Sequence, residues 1–170
     1  MMSRLGLGLG AILILLAAAR GASAADPEQL GTFKDWTAFR FSDSNGVVCY
    51  VLTSPDEMLP KNVNHGGVFF LITNWIAQET NGQPSVLTGY DFKDDSPVTL
   101  EIGGAKWNMF TKAKGAWLRG ADEEQALIAA MRKGSSMRIK GTSARGTATE
   151  YRISLAGISA ALDKINSDCK

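Results

Sequence analysis

Cys49 and Cys169 are the only cysteines in the 170-residue chain, and they stand 120 positions apart. If they are joined, almost the whole domain becomes one closed loop, and its last segment has to return to an early one. Compartment decides the question, because disulfides persist in oxidising surroundings and are rare in the cytosol. The first 24 residues speak to the compartment. They comprise a short leading region with Arg4, an apolar run from Leu5 through Ala19, and the small-residue site Ala22-Ser23-Ala24, which are the three parts of a secretory signal peptide. A retained membrane anchor is the rival reading. The run is broken by glycines and stopped by Arg20, short of the roughly 20 residues that a bilayer requires. The expectation is a signal peptide over residues 1–24, cleavage after Ala24, and a single exported domain over residues 25–170, in the periplasm or at the cell surface, with no integral membrane anchor after cleavage.

In that setting the two cysteines read as one structural disulfide, Cys49–Cys169. Neither belongs to a Cys-x-x-Cys pair, and Cys169 has only Asp168 beside it, which disfavours redox and metal chemistry. Ile158, Leu162, Ile165 and Cys169 follow at steps of four, three and four, so they share one face of a helix that packs inward. The bridge therefore pins a terminal helix, expected over residues 156–167, to an early strand.

Most of the remaining sequence alternates as strands do. Strands are predicted over residues 33–41, 47–53, 68–73, 85–92, 98–102, 105–110, 116–119, 137–141 and 147–155, from β-branched and aromatic enrichment and period-two patterning. The run at 68–73 is continuously apolar and suits a strand buried on both faces. Gly103-Gly104 between two of these segments marks a tight hairpin, where both central residues take positive φ. The one other helical stretch is residues 122–133, with Asp122 as cap, Gln125 at the capping-box position, acids in the first turn, Arg132 and Lys133 in the last, and Gly134 as terminator. Many short strands with two short helices indicate a mainly β, antiparallel β-sandwich.

Charge narrows the functional classes. The chain carries 18 basic and 17 acidic residues, too balanced for a nucleic-acid binder that works by neutralising phosphates. The balance is uneven along the chain: residues 25–105 hold 4 basic and 11 acidic groups, whereas residues 106–152 hold 10 basic and 4 acidic. Intermingling of the two halves in one fold is the preferred explanation, and a basic face for anionic envelope polymers is the sharper one.

The assembly of motifs resembles a known family. Phe33-Lys34-Asp35-Trp36-Thr37-Ala38, Val48-Cys49-Tyr50, Gly89-Tyr90-Asp91-Phe92-Lys93, Val98-Thr99-Leu100-Glu101-Ile102-Gly103-Gly104, Trp117, Leu127 to Gly134, Lys140 to Thr147, Tyr151, Ser154 to Ile158 and Cys169 together are similar to the invasion-associated locus B proteins, exported proteins of alphaproteobacteria. The resemblance implies a β-rich cell-envelope protein and, through the family's name, a role in host-cell invasion. It implies no catalytic residues.

Parts for an enzyme are scarce. His65 is the only histidine, and a Ser or Cys nucleophile would need it as base together with a third, orienting group. Set in an Asn- and Gly-rich stretch, it reads as a solvated turn residue. No catalytic residue, metal ligand set or cofactor is expected. An envelope hydrolase acting on a glycan or peptidoglycan, for example through Asp91 and Glu150, is the alternative function. The best candidate site is Lys140 to Thr147, where Lys140, Thr142, Ser143 and Arg145 could take an anion or a partner and glycine turns could aim backbone N–H groups at it; a plain hairpin connection is the competing reading. Of Trp36, Trp75, Trp107 and Trp117, three lie on strand patterns and read as core, and Trp75 is expected to be partly exposed. The reading is of a non-enzymatic binding or structural module whose partner is an envelope component or protein.

Closing a loop of this size stabilises by about 4–5 kcal/mol in the chain-entropy picture. Reduction of the mature domain should lower its Tm and open the C-terminus to protease. Equal stability with and without reductant would defeat the pairing.

Overall fold

The computed structural model describes residues 26–169; the expected signal peptide lies outside them. The elements in chain order are β1 (Glu28–Phe33), β2 (Trp36–Asp43), β3 (Gly46–Thr53), β4 (Glu57–Leu59), β5 (Phe69–Trp75), β6 (Thr80–Leu87), β7 (Val98–Ile102), β8 (Ala105–Lys112), β9 (Gly115–Trp117), α1 (Ala121–Lys133), β10 (Ser136–Thr142), β11 (Ala148–Ser154) and α2 (Ile158–Asp168). Among the described residues the protein is mainly β and antiparallel with two helices, one of them C-terminal, as the sequence predicts.

All eleven strands join in one sheet, in the order β1-β2-β3-β5-β6-β9-β8-β7-β10-β11-β4. The hinge of this sheet is β8, which pairs with β7 over Ala105–Met109 and with β9 over Phe110–Lys112. Strands on either side of that bend bury their inward residues in a single core: Trp36, Ala38, Val51, Phe70, Ile72 and Val86 from one half, Leu100, Ile139, Tyr151 and Ile153 from the other. The halves are tied directly, since the Trp36 indole N–H donates to the Ser154 carbonyl at 3.0 Å and the Asp35 amide donates to Ala156 at 3.3 Å.

The terminal helix closes the structure. Ile158, Ala161, Leu162 and Ile165 are buried on its inner face, and Cys169 is bonded to Cys49 of β3 with the Cα atoms 6.3 Å apart. The helix starts two residues later than the pattern suggests, because Gly157 takes φ +96° to turn the chain off β11. For α1 the acidic first turn and basic last turn are present, but Gly120 caps it and neither Asp122 nor any other side chain does. Gln125 reaches instead to the Asn81 carbonyl at 3.1 Å. Gly134 ends the helix in extended geometry; its missing side chain is required by space, as a Cβ would stand 2.7 Å from Ile102 Cγ2.

Other differences have local causes. The Gly103-Gly104 hairpin is present with both φ positive. The strand expected over 85–92 starts earlier, at Thr80, and stops at Leu87, because Thr88 turns the chain by donating its hydroxyl to the Tyr90 carbonyl at 2.7 Å. In β5 one face, Phe70, Ile72 and Asn74, is buried, while on the other Thr73 is buried, Leu71 half-buried and Phe69 38% exposed, so the second face is covered only in part. Of the tryptophans only Trp36 is fully buried; Trp75 is half-buried, and so are Trp107 and Trp117. Among the described residues the charge halves form ion pairs at one place, where Arg152 pairs with Asp56 at 3.2 Å and with Glu57 at 3.6 Å.

Gly157 is the most demanding position in this closure. A side chain there would collide with the Phe33 carbonyl and sit at an unfavourable φ. Gly157→Ala should cost more than about 1 kcal/mol in a denaturant melt, a loss that an ordinary surface substitution would not give.

Candidate functional site

Four connecting segments converge on one cavity of about 520 Å³, lined by Asn64, His65, Gly66, Gly89, Tyr90, Asp91, Lys114, Ser143, Arg145 and Thr149 among others. The segment 88–93 is the keystone. Thr88 donates its amide to the Lys114 carbonyl at 2.9 Å, Phe92 donates to Ala113 at 2.9 Å, and Lys93 donates to Thr142 at 2.9 Å. The segment is thereby stitched between the β8–β9 turn and the β10–β11 turn. On its other side Gly89 presses against Gly66: a Cβ on Gly89 would lie 2.7 Å from Gly66 Cα and 2.8 Å from the His65 carbonyl. Two backbones can approach this closely only where both residues lack side chains.

Tyr90 and His65 are drawn inward by that contact. His65 is 8% exposed, so it is not the solvated turn residue its neighbours suggest. Its Nδ1 lies 3.0 Å from the Tyr151 hydroxyl and its Nε2 3.0 Å from the Pro60 carbonyl. The Tyr151 hydroxyl meets the Tyr90 hydroxyl at 2.7 Å, Tyr90 meets Thr149 Oγ1 at 2.8 Å, and Thr149 reaches the Gly141 carbonyl at 3.2 Å. Burial first, and then its bond to Tyr90, pushes the Tyr151 phenol far above its ordinary range. The upward shift favours the protonated phenol, which suits a hydroxyl held among other hydroxyls.

The rim of the cavity is charged. Lys114 and Arg145 both line it, together with Asp91, and among the described residues none of the three is in an ion pair. Sequence reasoning singled out Lys140, Thr142, Ser143 and Arg145 as one group. The structure divides them: Ser143 and Arg145 face this cavity, while Lys140 and Thr142 line a separate depression with Leu59, Pro60 and Glu150. Lys140 and Arg138 both pair there with Glu150, at 3.6 and 2.9 Å. Asp91 and Glu150 therefore belong to different depressions.

The loop between Thr142 and Ala148 is a hairpin connection whose amides are largely in use. Ser143 donates to the Thr147 carbonyl at 2.9 Å, Ala144 to Asp91 at 2.7 Å, Gly146 to Ser143 at 2.8 Å, and Thr147 to the Ser143 hydroxyl at 3.1 Å. What remains to meet a ligand is side chains: the two cations, the Asp91 carboxylate, the Asn64 amide and the hydroxyls. Lys114, in a turn with no motif of its own, carried no signal in the sequence. Tyr90 and His65 could have been found only through the paired glycines beside them.

A third depression, on the outer face, is lined by Phe41, Val48, Tyr50 and Trp75. The Trp75 indole donates to Gln83 Oε1 at 3.1 Å. Among the described residues no group of three or more His, Cys, Asp or Glu side chains converges as a metal site would need, and no helix is long and apolar enough to cross a membrane.

Gly89→Ala should force the 88–93 segment away from Gly66 and unseat Tyr90. The expected result is a destabilisation of about 1–3 kcal/mol together with increased exposure of His65 to diethyl pyrocarbonate. An unchanged modification rate would show that the glycine contact does not hold the site together.

Comparison with curated proteins and with solved structures gives no match. A family model described as Invasion associated locus B (IalB) protein matches residues 36–166, a span that runs from β2 into α2 and takes in every loop of the cavity. The chain belongs to the invasion associated locus B (IalB) protein family.

Proposed function

We propose that this protein is an exported cell-envelope binding module, without enzymatic activity, whose ligand is an anionic, hydroxyl-rich saccharide held in the cavity between the two halves of the sheet. The observation that carries the reading is the pairing of Lys114 and Arg145, neither neutralised by a carboxylate among the described residues, on the rim of a cavity walled by hydroxyls and an imidazole. Cations without partners attract a carboxylate or phosphate. Asp91 and Asn64 offer acceptors and donors to sugar hydroxyls, the usual division between charge for affinity and polar groups for orientation.

Export is supported by the leader-like first 24 residues and by the Cys49–Cys169 bridge, which belongs in an oxidising compartment. The binding reading is favoured over a glycan hydrolase because Asp91 and Glu150, the carboxylates best placed in sequence, line separate depressions, and Glu150 is already committed to Arg138 and Lys140. The host-cell invasion that the family's name carries fits the same activity, turned towards a host glycan where the protein reaches the outer surface.

The test is calorimetric titration of the oxidised mature domain with trigalacturonate. Binding is expected, weakened about tenfold by Lys114→Ala or Arg145→Ala, the equivalent of one charge-assisted hydrogen bond of ~1.5 kcal/mol, and weakened further by added salt. Absence of binding, or affinity indifferent to both substitutions, would overturn the assignment.

A further inference from the structure

The chain from Pro60 through His65, Tyr151, Tyr90 and Thr149 to Gly141 has five contacts and ends in a carbonyl oxygen on both sides. Carbonyls only accept, so every contact needs a proton from the groups between them. A neutral imidazole and three hydroxyls supply four. One contact must be empty, and the longest, Thr149 to Gly141 at 3.2 Å, is the natural vacancy. In that state Nε2–H donates to Pro60, Tyr151 donates to Nδ1, Tyr90 to Tyr151 and Thr149 to Tyr90. A fifth proton, placed on Nδ1, fills every contact without moving the ring. Nε2–H still donates to Pro60, while Nδ1–H donates to Tyr151, Tyr151 to Tyr90, Tyr90 to Thr149 and Thr149 to Gly141.

We propose that protonation of His65 reverses this hydrogen-bond chain and switches the cavity to its higher-affinity form for anions, so that ligand capture is coupled to pH. The inference rests on the cavity being the binding site. Adding the proton places a third positive charge in the wall beside Lys114 and Arg145, and it turns the Tyr90 hydroxyl from Tyr151 towards Thr149. The groups that face His65 are few. Tyr151 comes from β11 and Tyr90 and Asp91 from the 88–93 segment, Lys114 from the β8–β9 turn, and Arg145 from the β10–β11 turn. Among the described residues Asp91 is the only carboxylate lining the cavity, and none is hydrogen-bonded to the imidazole. The proton has one place to enter, since burial and the Tyr90 bond keep the Tyr151 phenol protonated. Histidine is the side chain that titrates in the physiological range, and a hydrogen-bond chain that is complete in only one protonation state gives that titration a structural readout.

Because the chain has a single histidine, its imidazole proton signals are unambiguous in an NMR titration of the oxidised mature domain between pH 5 and 8. Trigalacturonate is a suitable probe, as its carboxylates stay ionised across that range. The expected results are an affinity roughly fivefold or more higher at pH 5.5 than at pH 8 and, by reciprocity, a His65 midpoint raised by saturating ligand. Tyr90→Phe leaves the Tyr151 contact to Nδ1 in place but removes the acceptor that Tyr151 needs when His65 is charged, so it should lower the midpoint. Tyr151→Phe serves as the second variant and should lower it further. Binding of constant affinity from pH 5.5 to 8 would overturn the coupling and leave the site standing. A midpoint unmoved in both variants would overturn the reversal. No binding at any pH would overturn the coupling and the site together.

Discussion

The structure depends on the return of the last segment of the chain to the first strands. A sheet of eleven strands bent at β8 has two halves that could part, and what holds them face to face is concentrated at the β11–α2 junction. The Trp36 indole takes the Ser154 carbonyl, the Asp35 amide takes Ala156, Gly157 lets the chain turn against Phe33, and Cys169 is bonded to β3 through Cys49. Each tie is modest alone, the hydrogen bonds contributing about 1 kcal/mol apiece. Together they make the inward faces of both halves one core, and they fix the distance across which the loops at the other end must meet.

That geometry is why the cavity exists. Gly66 meets Gly89 of the crossing segment, and their neighbours His65 and Tyr90 meet Tyr151 of β11, only because the sheet is closed over. A polar chain of one imidazole and three hydroxyls then fills the seam where an apolar contact would otherwise be expected. Each member is satisfied by the next, which is the condition under which buried polar groups are tolerated. Lys114 and Arg145 stand on the rim of the same seam, brought together by turns 31 positions apart in sequence.

Much of the architecture is legible from local patterns. Period-two alternation marks most of the strands, the glycine pair marks the β7–β8 hairpin, and the apolar steps through Ile158, Leu162 and Ile165 mark the helix that delivers Cys169. The parts that escape are those decided by distant partners. Nothing near His65 says it is buried, because its Asn and Gly neighbours read as a solvated turn and the residue that buries it, Tyr151, lies 86 positions away. The capping pattern at Asp122 is real as a sequence, yet Gln125 finds a better acceptor in Asn81 across the fold. Lys140 and Arg145 look like neighbours along the chain, but strand alternation and the hairpin turn them to different depressions. The amides of that loop, which a sequence can offer to an anion, are taken up within the fold.

In the proposed reading the binding chemistry of this IalB-family chain lies in the seam between sheet halves rather than on a strand face or at a tryptophan. Chemical-shift mapping of the isotope-labelled, oxidised mature domain with trigalacturonate tests that most directly. The account predicts that the largest changes fall on residues 64–66, 89–91, 114 and 143–147, with the His65 imidazole among them. Changes confined to the Lys140–Glu150 depression or to the outer face around Trp75 would contradict it.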